Sequence, residues 1–199
     1  MTSVRQPQQD RSRATRDRLL VCTIEALAED GWAATTVASV AARAGVSRGA
    51  AQHHFPTRED LIAAALEYMF TALTAAVDQS HTLPTGGERI EAAVGRAVEF
   101  YTGILFKAAL QVWAAAPSDE VLRQRILPLE AKFGREAHRA TVAMLGVDDS
   151  DPTVHRLVQA TLDLARGLGL ADTLSDDSAR RAQVVKAWSA QLRSAFGEE

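Results

Sequence analysis

Between Thr36 and Arg58 the chain gathers side chains that suit one kind of chemistry, hydrogen bonding to phosphates and to the edges of bases. Thr36 and Ser47 carry hydroxyls at the expected starts of two short helices, where free N–H groups and the helix dipole favour an anionic oxygen. Arg48 has the reach and the planar fork to bind guanine O6 and N7, or two phosphate oxygens. Gly49 lets the backbone come close to a ligand. Gln52 offers a donor and an acceptor, so it can read adenine or bond a phosphate. His53 follows, and is placed near a phosphate.

Other reactive residues lead nowhere comparable. His53 and His54 are adjacent, and neighbours on a helix diverge by about 100°, a poor arrangement for sharing one metal ion. No metal ligand set and no cofactor is expected. The single cysteine, Cys22, lies in an apolar helical pattern without an evident histidine partner, so it reads as a small core residue rather than a nucleophile. It permits no intrachain disulfide, which suits a reducing compartment. No convergent acid, base or nucleophile marks an enzyme. No apolar run reaches the ~20 residues of a membrane span, and the N-terminal MTSVRQPQQDRSR has no secretory apolar core, so a cytoplasmic location is expected.

The elements that must position these groups are helical throughout. Hydrophobic residues make up 47% of the 199, much of that alanine and leucine, and no strand alternation competes with the helical period. The first helix is expected over about 13–29, with Leu20, Ile24, Leu27 and Ala28 on one face and Gly31 as a left-handed cap. A second, about 36–44, carries the stripe Val37, Val40, Ala41, Ala44 and a threonine cap from Thr35 or Thr36. Gly45 turns the chain, Val46 plugs the corner, and a third helix covers about 47–53 until Phe55 and Pro56 close it. Thr57 and Asp60 make a capping box for a helix to about Ser80. HTLPTGG at 81–87 is a break and a candidate hinge. Later helices are expected at about 87–103, 104–116, 118–145, 151–173 and 177–196, with Ser118 as a cap and a kink at Pro128.

The pattern of 36–53, two short helices about a glycine corner, is a helix-turn-helix, slim enough at Ala42, Ala44, Gly49, Ala50 and Ala51 to enter a major groove. The net charge of −3 gives no global case for nucleic acid, but residues 1–60 carry +1 and the remainder −4. Five arginines against two aspartates in residues 1–18 form a basic segment that would add salt-sensitive affinity.

GWAATTVASVAARAGVSRGAAQHHFPTREDL resembles the N-terminal DNA-binding segment of TetR-family (tetracycline-repressor-like) transcriptional regulators, through the Gly-aromatic pair, TTV, AARAGVSRG, HHF and the basic Arg58 three residues past Phe55. The resemblance covers about residues 13–70. It departs from the family at Ala51 and Gln52, where a leucine and a tyrosine are usual, so the tyrosine's backbone contact is not carried onto Gln52.

The resemblance implies an all-α chain of about nine helices, with an N-terminal helix-turn-helix head of three helices and a C-terminal helical bundle for ligand binding and dimerisation. The divisions expected are 1–12 as a flexible basic arm, 13–56 as the DNA-binding domain, and 57–199 as the effector-binding and dimerisation domain, with 57–80 linking them. It implies a ligand-responsive regulator, most often a repressor, whose partners are a double-stranded palindromic operator, a small and largely apolar effector, and a second copy of the chain. Arg58 is then a backbone grip. Phe100, Tyr101, Phe106, Trp113 and Phe133 are candidates for the effector cavity, with Arg96, Lys107, His138 or Arg166 as a polar handle. Leu157, Leu164, Leu168, Trp188 and Leu192 on the last two helices are candidates for the dimer interface, with Gly167 and Gly169 permitting close approach. The rival readings are a DNA-packaging protein without sequence choice and a helical enzyme.

Overall fold

The computed structural model describes residues 5–78 and 84–197. Among them there is no strand, and the fold is all-α. Ten α-helices follow in order: α1 Arg5–Glu29, α2 Gly31–Ala34, α3 Val37–Arg43, α4 Arg48–His54, α5 Arg58–Asp78, α6 Gly87–Phe100, α7 Gly103–Ala115, α8 Glu120–Leu145, α9 Pro152–Asp172 and α10 Ser178–Phe196. A single 3-10 turn, Ala116–Ser118, precedes α8. No helix among the described residues is long and apolar enough to cross a membrane.

Three boundaries differ from expectation for local reasons. α1 starts at Arg5, eight residues early, so the arginines from Arg5 to Arg18 ride on helix. Gly31 does adopt φ 80°, but the chain re-enters one helical turn, α2, which supplies the tenth helix. The cap of α8 is Asp119, not Ser118: its Oδ1 accepts from Leu122 N–H at 3.0 Å, while the Ser118 hydroxyl donates back to the Ala115 carbonyl. α8 runs through Pro128. The candidate hinge at 81–87 falls in part on residues 79–83, outside the described residues.

The chain divides into two compact units. One comprises residues 1–70 with 107–129. Leu19, Leu20, Leu27, Val40, Ala41, Ala51, Phe55, Leu61, Ile62, Leu66 and Met69 are all buried there, so α1, α3, α4 and the first turns of α5 each turn an apolar face inward. Cys22 belongs to this core, and burial pushes its thiol pKa up, away from a reactive thiolate.

The other unit comprises residues 71–106 with 130–199. Its α6, α9 and α10 pack around Ile90, Ala93, Val94, Leu145, Val158 and Leu192, with Trp188 and Phe196 against them. Arg89 on α6 donates to the carbonyls of Met144 and Ala143, both at 2.9 Å, capping the negative end of α8.

Candidate nucleic-acid interface

α3 and α4 form the helix-turn-helix. Thr36 Oγ1 accepts from Ser39 N–H at 3.1 Å and Ser39 Oγ accepts from Thr36 N–H at 2.9 Å, a reciprocal capping box that fixes the start of α3. At the corner Gly45 takes φ 65°, a left-handed conformation that costs a residue with a Cβ about 1 kcal/mol or more. Val46 N–H then donates to the Ala41 carbonyl at 3.0 Å. Ser47 Oγ caps α4 by accepting from Ala50 N–H at 3.2 Å. An accepting hydroxyl keeps its own proton, so Ser47 can still donate to an external oxygen.

α4 is two-sided. Ala51 and, at its end, Phe55 are buried, whereas Arg48, Gly49, Gln52 and His53 are exposed together. Successive helical residues turn by about 100°, so these four share one outward face of roughly 140°. A Cβ built on Gly49 meets nothing within 4 Å, so glycine there is not demanded by the fold. His54, half-buried beside the face, has its pKa lowered by desolvation first, then by His53 and Arg16.

Arg58 departs from expectation. Its guanidinium lies 3.8 Å from the Trp32 ring centre and donates to the Trp32 carbonyl. Burial pushes its pKa down from the ordinary arginine value. A guanidinium engaged over an indole face and a carbonyl is a clamp inside the unit, so the backbone-grip role is withdrawn. Trp32 N–H in turn donates to Gln111 Oε1 of α7 at 3.2 Å. Arg43, at the end of α3, binds Glu29 and Asp30, each at 2.7 Å, and so ties the helix-turn-helix to the end of α1. Sequence reading missed both ties, because their partners are 13 to 79 residues apart.

The candidate effector residues separate between the units. Phe100 stacks on Phe133 at 5.1 Å, and Phe106 meets Tyr101 edge-on at 5.6 Å. Phe100 also packs edge-on against Tyr101. Arg166 lies 5.3 Å from the Tyr101 ring and 2.8 Å from Asp163. Trp113 belongs to the other unit. Beside this aromatic cluster opens a groove of about 750 Å³, lined among others by Tyr101, Arg135, His138, Arg139, His155 and Arg166. Tyr101, His138 and Arg166 are thus the members of the predicted set among its lining residues, and basic groups stand on a lining whose surface is mostly apolar.

Two of the dimer candidates need correction. Leu168 and Leu192 are 4% and 0% exposed and belong to their own subunit's core. Leu157 and Trp188 pack against that core, and the Trp188 indole donates to Thr161 Oγ1 at 2.9 Å. Leu164 is half-buried. Gly169 does serve close approach, but to Tyr101 and Phe106 of the same chain, whereas a Cβ on Gly167 would meet nothing.

Residues 19–65 match the family described as bacterial regulatory proteins, tetR family. The chain is 32% identical over 130 residues to the HTH-type transcriptional regulator CymR of Pseudomonas putida, an alignment that spans 63% of each protein. It is 31% identical over 147 residues to the HTH-type transcriptional regulator BetI of Escherichia coli O157:H7, covering 66% of this chain and 75% of that one. The fold matches the crystal structure of a transcriptional regulator from Rhodococcus sp. Rha1 with a TM-score of 0.73 at 22% identity, over 90% of this chain and 96% of the other.

Proposed function

Because this chain belongs to the TetR family of DNA-binding transcriptional regulators, and is therefore no enzyme, we propose that it is a repressor that binds a palindromic operator as a dimer and leaves it when an effector occupies the groove of the C-terminal unit. The observation that carries this is the shared exposure of Arg48, Gly49, Gln52 and His53 on α4, above a buried Ala51. Thr36 and Ser47 set the helix starts for backbone phosphates, and Arg11, Arg13, Arg16 and Arg18, all exposed on α1, add salt-sensitive affinity. Residues 13–56 act as the head and 57–199 as the effector and dimer region, with 57–80 as the link. Two heads on a two-fold axis address half-sites about 34–36 Å apart.

The test selects binding duplexes from a random pool with the purified full chain, then competes them with unrelated DNA. The selected site is expected to win by roughly 10³-fold or more and to be two-fold symmetric. Equal competition by both duplexes would turn the reading to a packaging protein.

The effector follows from the groove. Its lining holds three arginines and two histidines over the buried Tyr101; Arg166 pairs with Asp163, Arg139 with Glu136, and both histidines with Asp149. That lining favours an apolar body carrying an anionic group. Its binding shifts α5, which begins in the head's unit and ends in the effector's, and the half-site spacing is lost. Moving the heads from 1:99 to 99:1 released requires about 5.5 kcal/mol of differential affinity. Arylcarboxylic acids are expected to raise Tm and release operator, their neutral amides to do neither, and Arg166→Ala to abolish the difference.

For the dimer, the free apolar surface is Leu170 at 52% and Leu174 at 92% exposed, next to Gly167 on α9 and the exposed Ala182, Ala187 and Ala190 of α10. Small residues of this kind let helices from two copies approach closely in a four-helix interface. Leu170→Glu with Leu174→Glu is expected to convert the dimer to monomer in sedimentation, with far-ultraviolet circular dichroism unchanged. A persisting dimer would place the interface elsewhere.

A further inference from the structure

We propose that His138, Asp149 and His155 form a binding site for a divalent transition-metal ion, of the zinc and cobalt class, at the edge of the C-terminal groove. His138 stands on α8, His155 on the first turn of α9, and Asp149 in the turn that joins them. Asp149 Oδ2 lies 2.8 Å from His138 Nε2 and 3.4 Å from His155 Nδ1. One ligand atom from each residue falls within 4.8 Å of the others. Metal–ligand bonds of about 2.0–2.2 Å put the edges of a tetrahedron at about 3.3–3.6 Å, so small side-chain rotations bring the set into coordination.

The turn itself singles Asp149 out. In VDDSDP, Asp148 Oδ1 accepts from Ser150 N–H at 3.0 Å and Asp151 Oδ1 accepts from Thr153 N–H at 2.6 Å, so both neighbours serve the local backbone. Asp149 instead turns to the two imidazoles, whose rings lie 4.5 Å apart. Both histidines also line the groove. Three protein ligands leave a fourth tetrahedral position for a water or a ligand atom, the arrangement of an open zinc site. Two imidazoles with one carboxylate select zinc, cobalt or nickel over magnesium and calcium, which prefer all-oxygen sets. The assignment is independent of what the groove binds and of the operator reading.

The experiment is a titration of chelator-treated full-length protein with Co²⁺, followed by Zn²⁺. One Co²⁺ per chain is expected, with the visible ligand-field bands of a four-coordinate ion, displaced by one equivalent of Zn²⁺ and indifferent to excess Mg²⁺. His155→Ala, at a half-exposed ring, is expected to weaken uptake at least tenfold, and Asp149→Asn provides the same reading should the alanine variant lose its helical circular dichroism. A His53→Ala, His54→Ala double variant is expected to bind as the parent does. Absence of saturable uptake, uptake unchanged in both site variants, or loss of uptake only in the His53/His54 variant would overturn the assignment.

Discussion

Gly169→Ala is expected to destabilise the C-terminal unit by more than ~3 kcal/mol, at the top of the range for overpacking, and to lower Tm by many degrees. The reason is positional. A Cβ on Gly169 would stand 2.9 Å from the Tyr101 carbonyl carbon, closer still to its oxygen, and 3.0 Å from Phe106 Cε1. Two of those three atoms are backbone, at the C-terminal end of α6, and cannot rotate aside. Relief requires α9 to move away from α6, which would open the contacts around Tyr101, a side chain only 1% exposed. Gly95→Ala, inside α6, is the control: it meets open space, so helix propensity alone should stabilise by up to about 1 kcal/mol. Denaturant unfolding of the pair measures both. Equal stabilities would show that α9 yields more readily than its packing implies.

Arg48→Ala is expected to weaken operator binding by roughly 5- to 150-fold, the equivalent of ~1–3 kcal/mol for one bidentate contact, while Tm stays unchanged. Arg48 is exposed and has no role in the packing of α4. Gly49→Ala extends the test. The fold has room for that methyl, so Tm should hold or rise slightly, yet close backbone approach to DNA would be lost and affinity should fall. Arg58→Ala is expected to behave in the opposite sense. It removes the clamp on Trp32, so Tm falls, and any loss of affinity follows from a loosened head. Binding isotherms beside thermal melts separate the three. If Arg48→Ala melts early, or Arg58→Ala binds weakly at full Tm, the assigned roles change places.

The helices were legible in sequence because period, caps and breakers agree over most of the chain. Thr36, Ser47 and the Thr57–Asp60 pair cap as expected, with the Thr57 hydroxyl donating to Asp60 Oδ2 at 2.6 Å. The outward face of α4 was legible in Arg48, Gly49, Gln52 and His53, whereas Ala51, read as one of the slim residues that admit the unit to the groove, is buried. What escaped reading depends on partners distant in the chain. Arg58 carries the same charge whether it meets a phosphate or an indole, and only the fold decides which. Leu168 and Leu192 fit a helical stripe that serves an inner core and an outer interface equally, so periodicity gave the face but not its owner. His138 and His155 lie 17 residues apart, and their meeting depends on the turn between α8 and α9. The groove escaped reading because Phe100, Phe106, Trp113 and Phe133 suggested its lining, whereas none of the four lines it.

Trp32 draws three segments to one residue: its own α2, Arg58 of α5 over the ring, and Gln111 of α7 at the main-chain N–H. An indole under a guanidinium emits differently from one released to water, so this ring is a built-in optical gauge of how α5 seats on the head. With Trp113 and Trp188 replaced by phenylalanine, a change in emission wavelength on adding DNA or a small acid would time that seating directly, without an attached dye.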